Sequence, residues 1–110
     1  TRNDEYRFVQ YIEDWKMKVE RVGVLNYPKE AKGKLYGSLI LSVSINSDGS
    51  VKNVEIDRSS GHKILDDAAR RIVIMAAPYA PFPSDIRRDF DVLVITRAWN
   101  FTNNNQIETK

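Results

Sequence analysis

The chain has 110 residues, and 17 basic against 15 acidic side chains leave a net charge of +2, too small an excess to argue nucleic-acid binding. Leu, Ile, Val and Phe fill 30 positions, about 27% and above the roughly 20% below which chains stay disordered, so one globular domain over residues 1–110 is expected. The absence of cysteine excludes a disulfide scaffold, an iron–sulfur cluster and thiol catalysis, and the single histidine excludes a multi-histidine metal site.

From about Asn3 to Val22, Phe8, Ile12, Trp15, Val19 and Val22 recur at spacings of 4, 3, 4 and 3, which aligns one apolar stripe on a long amphipathic helix. Arg7, Glu13, Asp14, Lys16, Lys18, Glu20 and Arg21 make its solvated face. Asn3 or Asp4 is placed to cap the start, and Gly23 stands where a helix stops. Pro28 to Lys32 reads as a short helical turn ended by Gly33. The period then changes to two: Leu39, Leu41, Val43 and Ile45 alternate with Ser38, Ser42 and Ser44, the pattern of a half-buried strand. Ser47-Asp48-Gly49-Ser50 is a hairpin turn, and Val54 and Ile56 alternate with Asn53, Glu55 and Asp57 in a second, antiparallel strand.

A second helix is expected from about Lys63 to Ala77, with Leu65, Ala69, Ile72 and Ala76 on its buried face. Asp66 and Asp67 lie in its first turn and Arg70 and Arg71 follow, the order that suits the helix dipole. Pro78, Pro81 and Pro83 hold the next stretch extended. The last strand, about Asp89 to Phe101, is apolar on both faces, with Phe90, Val92 and Val94 pointing one way and Leu93, Ile95, Trp99 and Phe101 the other. The polar residues 102–110 are expected to be a flexible tail. The resulting fold class is α+β: a three-stranded antiparallel sheet with two helices packed on one face, the chain beginning with the long helix.

Few residues invite a chemical reading. Ser60 and His62 lie two apart without the spacing of a nucleophile elbow, and no third group orients the histidine; they suit the start of the second helix, with Gly61 supplying an unusual backbone angle. Asp48, Asp66 and Asp67 do not form the run of alternating acids that a calcium loop requires. Arg70, Arg71, Arg87 and Arg88 fit a solvated face, with contacts to a partner or to peptidoglycan carboxylates as the sharper reading. Trp99 and Phe101 suit either packing beneath a helix or holding a partner strand. No catalytic, cofactor-binding or metal-binding residue is assigned. No leader is visible and the longest apolar run, Ile72 to Ala77, falls short of the roughly 20 residues of a membrane span, so any anchor or export signal is expected outside this stretch.

The order of elements, together with Asn26-Tyr27-Pro28 and Ala31, Gly37 at the start of the first strand, Ser47-Asp48-Gly49-Ser50-Val51, Ser59-Ser60-Gly61-His62, Leu65-Asp66 with Ala68-Ala69, Pro81-Phe82-Pro83 and Ile95-Thr96-Arg97 with Trp99-Asn100-Phe101, resembles the C-terminal domain of the TonB energy-transducer family. The resemblance spans about Glu20 to Phe101. It implies a periplasmic domain of a protein anchored in the bacterial inner membrane by a helix absent from this chain, driven by the ExbB–ExbD proton channel. The implied partners are outer-membrane TonB-dependent receptors that import siderophores, haem or cobalamin; peptidoglycan is a further possible contact, and no nucleic acid is implied.

Family members bind the receptor's TonB box by adding it as a strand to the edge of the last strand, which here implicates Val92, Val94, Thr96, Arg97, Ala98, Trp99, Asn100 and Phe101. The segment before Tyr-Pro also touches the box, implicating Gly23, Val24, Leu25 and Asn26, although these lack the Gln-Pro of the best-known members. A TolA-like domain, or a specialised TonB paralogue serving another envelope machine, is the alternative.

Overall fold

The apolar stripe of the first segment forms α1 (Arg2–Leu25) in the computed structural model, which describes residues 2–32, 35–102 and 106–110. The Asn3 and Asp4 side chains and Gly33 lie outside the described residues. Tyr11, Trp15 and Val19 are buried, and Phe8, Ile12 and Val22 pack partly buried beside them. The helix does not stop at Gly23. A Cβ there would come within 2.7 Å of the Ile107 side chain, so the glycine serves a close approach, and the helix ends where the Asn26 side-chain amide donates to Val22 O at 2.8 Å.

A short 3₁₀ turn (Lys29–Ala31) leads to β1 (Gly37–Asn46) and β2 (Val51–Arg58), joined by the expected hairpin. Gly49 in that turn has φ of 91°, and a Cβ there would meet Tyr79 O at 2.0 Å. The reason is that the turn is fastened to the proline-rich loop: Tyr79 N–H donates to Gly49 O at 2.8 Å and Phe82 N–H to Ser47 O at 2.9 Å. The same loop receives α1. Tyr11 Oη donates to Ala80 O at 2.7 Å and its ring meets Phe82 edge to face, while Trp15 packs on Tyr79 and Lys18 Nζ donates to Pro78 O at 2.8 Å. Burial pushes the Tyr11 hydroxyl up to about 12.

After α2 (Lys63–Ala76) the chain makes one unexpected turn of helix, α3 (Ser84–Arg87), and enters β3 (Val92–Phe101). Among the described residues the sheet has four strands, not the three expected, in the order β2-β1-β3-β4. The fourth is β4 (Ile107–Thr109), within the stretch that composition marks as a tail, and it pairs antiparallel with Trp99, Asn100 and Phe101; residues 103–105 of that stretch lie outside the described residues. α1 and α2 cover one face of the sheet, whose side chains Leu39, Leu41, Val43, Ile45, Ile95, Trp99 and Phe101 complete the core. The other face carries Ser38, Ser42, Ser44, Thr96 and Asn100, with Ser42 Oγ 2.7 Å from Thr96 Oγ1 and Ser38 bonded to Asn100.

Candidate functional site

A sheet edge exposes unpaired backbone groups, and this sheet has two. Along β2 the register with β1 slips twice, between Ile40 and Leu41 and between Ser44 and Ile45, and Lys52, Glu55, Asp57 and Arg58 line the strand. Bulges and charges of this kind blunt an edge against pairing.

The opposite edge is different. β3 pairs with β1 without a slip over ten residues, from Val92 opposite Asn46 to Phe101 opposite Gly37. Among the described residues its far side is paired at the Phe101 end alone. There Ala98 exchanges both backbone bonds with Lys110, at 3.0 and 2.8 Å. In an antiparallel ladder successive residues of an inner strand turn their N–H and C=O to alternate neighbours. Thr96, Val94 and Val92 therefore aim their backbone groups at the same side as Ala98, where β4 no longer runs. At about 3.3 Å per residue, the uncovered lane beside residues 92–97 is about 20 Å long. One acceptor in it is taken: the Arg97 guanidinium folds over and donates to Thr96 O at 2.7 Å. Val94 is 58% exposed, and nothing among the described residues covers its backbone.

β4 ends the lane and is itself held from behind. Glu20 of α1 accepts from Thr109 N–H at 2.7 Å and from Thr109 Oγ1 at 3.0 Å. Thr109 and Ile107 are buried between α1 and β3, with Ile107 against Gly23.

The structure divides the expected site residues into groups. Val92 and Val94 turn their N–H and C=O to the lane, and Thr96 its N–H, its C=O being taken by Arg97. Arg97, Trp99 and Phe101 turn their backbone to β1, and the Trp99 and Phe101 side chains are buried in the core, the packing role of the two readings offered for them. Ala98 and Asn100 have their outer backbone side occupied by β4, while their side chains line a shallow hollow with Ile40, Arg58 and Ser60. Gly23 is buried in α1, Val24 is exposed, and Leu25 and Asn26 are exposed beside Tyr27 and Arg71. Tyr27 packs on Phe101, so these residues sit at the covered end of β3, about 17 Å along the strand from Thr96. Sequence reasoning missed Glu20, Ile107 and Thr109. The available signal was a glycine in line with a buried helical face and a tail in which Ile107 and Thr109 alternate with Glu108.

The Ser60–His62 stretch builds a helix start. Ser60 N–H and Ser60 Oγ approach Asp66 Oδ1 at 3.0 and 2.7 Å, and Ser59 Oγ donates to Asp66 Oδ2 at 2.5 Å. Burial pushes the Asp66 carboxyl upward, but these three bonds outweigh it and hold the group below the ordinary range. Gly61 has φ of 86°, as its place in the turn requires. Among the described residues no group of three or more His, Asp or Glu is placed to hold a metal ion, and no helix is long and apolar enough to cross a membrane.

A sequence model of the family described as "Gram-negative bacterial TonB protein C-terminal" matches residues 24–102. Among solved structures, the Helicobacter pylori TonB C-terminal domain (residues 179–285), determined in solution by NMR, has a similar fold, with a TM-score of 0.67 at 22% identity over 84% of this chain and 80% of that one. No curated protein sequence matches.

Proposed function

This chain belongs to the Gram-negative bacterial TonB protein C-terminal family, and we propose that it is a non-catalytic, periplasmic binding module that captures the TonB box of outer-membrane receptors on the open part of β3. The observation that carries the reading is the contrast between the two sheet edges. β2 is bulged and charged, whereas β3 is regular from Val92 to Arg97 and no strand among the described residues pairs with its outer side there. An extended segment of about six residues laid there would form up to five main-chain hydrogen bonds, each contributing roughly 0.5–1.5 kcal/mol net. Ordering the segment costs roughly 2–5 kcal/mol, so micromolar affinity is expected. A pull along the strand direction loads those bonds together, which suits a domain that relays force from an ExbB–ExbD-type motor to a receptor.

The reading is tested by titrating a TonB-box peptide into the labelled domain while following backbone amide signals. Shifts should concentrate at Val92 to Arg97, and Val94→Pro, which deletes an outward donor and obstructs pairing, should abolish them while far-ultraviolet circular dichroism stays native. Shifts confined to Arg70 and Arg71 of α2 would rule out strand addition.

A further inference from the structure

The family match begins at residue 24, so nearly all of α1 lies outside it. The helix is nevertheless bonded, step by step, to the residues that open the free part of β3. Tyr11 Oη donates to Ala80 O at 2.7 Å and Lys18 Nζ to Pro78 O at 2.8 Å, so α1 holds the carbonyls on either side of Tyr79. The proline-rich loop passes that grip to the hairpin turn, with Tyr79 N–H on Gly49 O and Phe82 N–H on Ser47 O. Ser47 then donates its own N–H to Asp91 O at 3.0 Å. That bond lies one step beyond Asn46 and Val92, the last pair of the β1–β3 ladder.

A second set of contacts reaches the same place independently. Phe8 meets Phe90 edge to face at 5.4 Å, and Arg7 pairs with Asp85 of α3 at 3.4 Å. Phe90 and Asp91 are the two residues that lead into Val92. Strand ends fray unless something ties them. At this end β3 has β1 on one side and no strand among the described residues on the other. α1 supplies the tie here, as β4 does at the Phe101 end. Unlike β4, it does so through Pro78, Ala80, Asp85 and Phe90, and none of these bonds uses an N–H or C=O of Val92 or Val94.

Resting on the strand-addition reading above, we infer that α1 positions the Val92 end of the binding edge, with Phe8 and Tyr11 as its positioning residues. A segment added there finds Val92 and Val94 already ordered and does not have to order them itself. Where that end is loosened, apparent affinity falls in proportion to the fraction of molecules that present it. The coupling is reciprocal. A segment bound at Val92 and Val94 steadies the Ser47–Asp91 bond and, through Ser47, the bond from Phe82 in the loop. None of this requires α1 to touch the added segment.

The test uses the whole domain and the acetylated, amidated heptapeptide Ser-Thr-Val-Thr-Val-Thr-Ser, whose side chains read the same in both strand directions. Shifts of amide signals give its affinity, and amide exchange gives local order. Phe8→Ser and Tyr11→Phe should each weaken peptide binding about fivefold and speed exchange at Ser47 and Phe82 by a similar factor. Leu41 and Val43, in the middle of the sheet, should keep their protection. Phe8→Tyr, which retains the ring contact, should bind like the unaltered domain, as should Met17→Ser on the exposed side of α1 (63%). In the unaltered domain the peptide should also slow exchange of the Phe82 N–H, which lies outside the edge. Unchanged peptide affinity in Phe8→Ser and Tyr11→Phe would overturn the inference and leave α1 a structural support. So would weaker binding accompanied by lost protection at Leu41 and Val43, which marks general destabilisation. If the peptide leaves the amides of Val92, Val94 and Thr96 unmoved in the unaltered domain at millimolar concentration, strand addition itself fails and this inference with it.

Discussion

Replacing Glu20 with alanine should release β4 without unfolding the domain. The carboxylate is the acceptor for both the N–H and the hydroxyl of Thr109, which is fully buried. Hydrogen bonds to a charged group contribute roughly 1.5–3 kcal/mol each, so at least about 3 kcal/mol is removed, and the Thr109 donors are left buried and unsatisfied. The remaining attachments of β4 are the Asn100–Glu108 and Ala98–Lys110 pairs, the Thr102–Gln106 bond and the burial of Ile107. Because the strand can lift off while the core stays closed, the loss should appear as local opening rather than global unfolding. Amide hydrogen exchange followed by NMR should show protection at Ala98, Thr109 and Lys110 falling about a hundredfold, since each 1.4 kcal/mol is a factor of ten. Leu41, Val43 and Ile95 should keep theirs. Glu20→Gln, which retains an acceptor oxygen, should fall between. The freed Ala98 and Asn100 should also lengthen the open edge and tighten peptide binding. Unchanged exchange at Ala98 and Thr109, or parallel loss throughout the sheet, would refute the idea that Glu20 clamps a separable strand.

Trp15→Ala should cost roughly 3–5 kcal/mol, because Trp15 is 2% exposed between α1 and Tyr79; the thermal midpoint should fall by roughly 12–30 °C, and an unchanged midpoint would make α1 a mere stalk. Gly49→Ala should destabilise by at least about 2 kcal/mol in urea titration, since its Cβ would collide with Tyr79 O at 2.0 Å on a backbone with φ of 91°. The Asp66 carboxyl, held below the ordinary range in the folded state, adds stability that is fully present above the unfolded value of about 4 and is lost as pH falls through the lower folded value. Asp66→Asn should flatten the acid limb of a pH series of urea midpoints, and an identical limb in both proteins would contradict the Ser59–Ser60 staple.

Elements set by local pattern were legible in the sequence: the 3–4 spacing of α1, the alternation of β1, the Asp48-Gly49 turn and the apolar face of α2 all formed where periodicity put them. What escaped was fixed by contacts remote in the chain. Ile107-Glu108-Thr109 offers one strongly apolar side chain, and its order depends on Glu20 and Gly23, more than eighty residues earlier. Gly23 read as a stop because glycine usually ends helices, whereas here it admits Ile107. The site was legible to the strand but not to the residue. Backbone direction alternates along β3, and only the position of β4 reveals that the outward N–H groups of Val92, Val94 and Thr96 lie beyond it while Ala98 and Asn100 are paired.

The central claim, that the open part of β3 receives an added strand, is tested most directly by amide exchange of the domain with and without a saturating TonB-box peptide. The account predicts new protection at alternate positions, the N–H groups of Val92, Val94 and Thr96, with Leu93 and Ile95 already protected by β1. Protection gained instead along β2, or at no alternating set of amides while the peptide is bound, would contradict it.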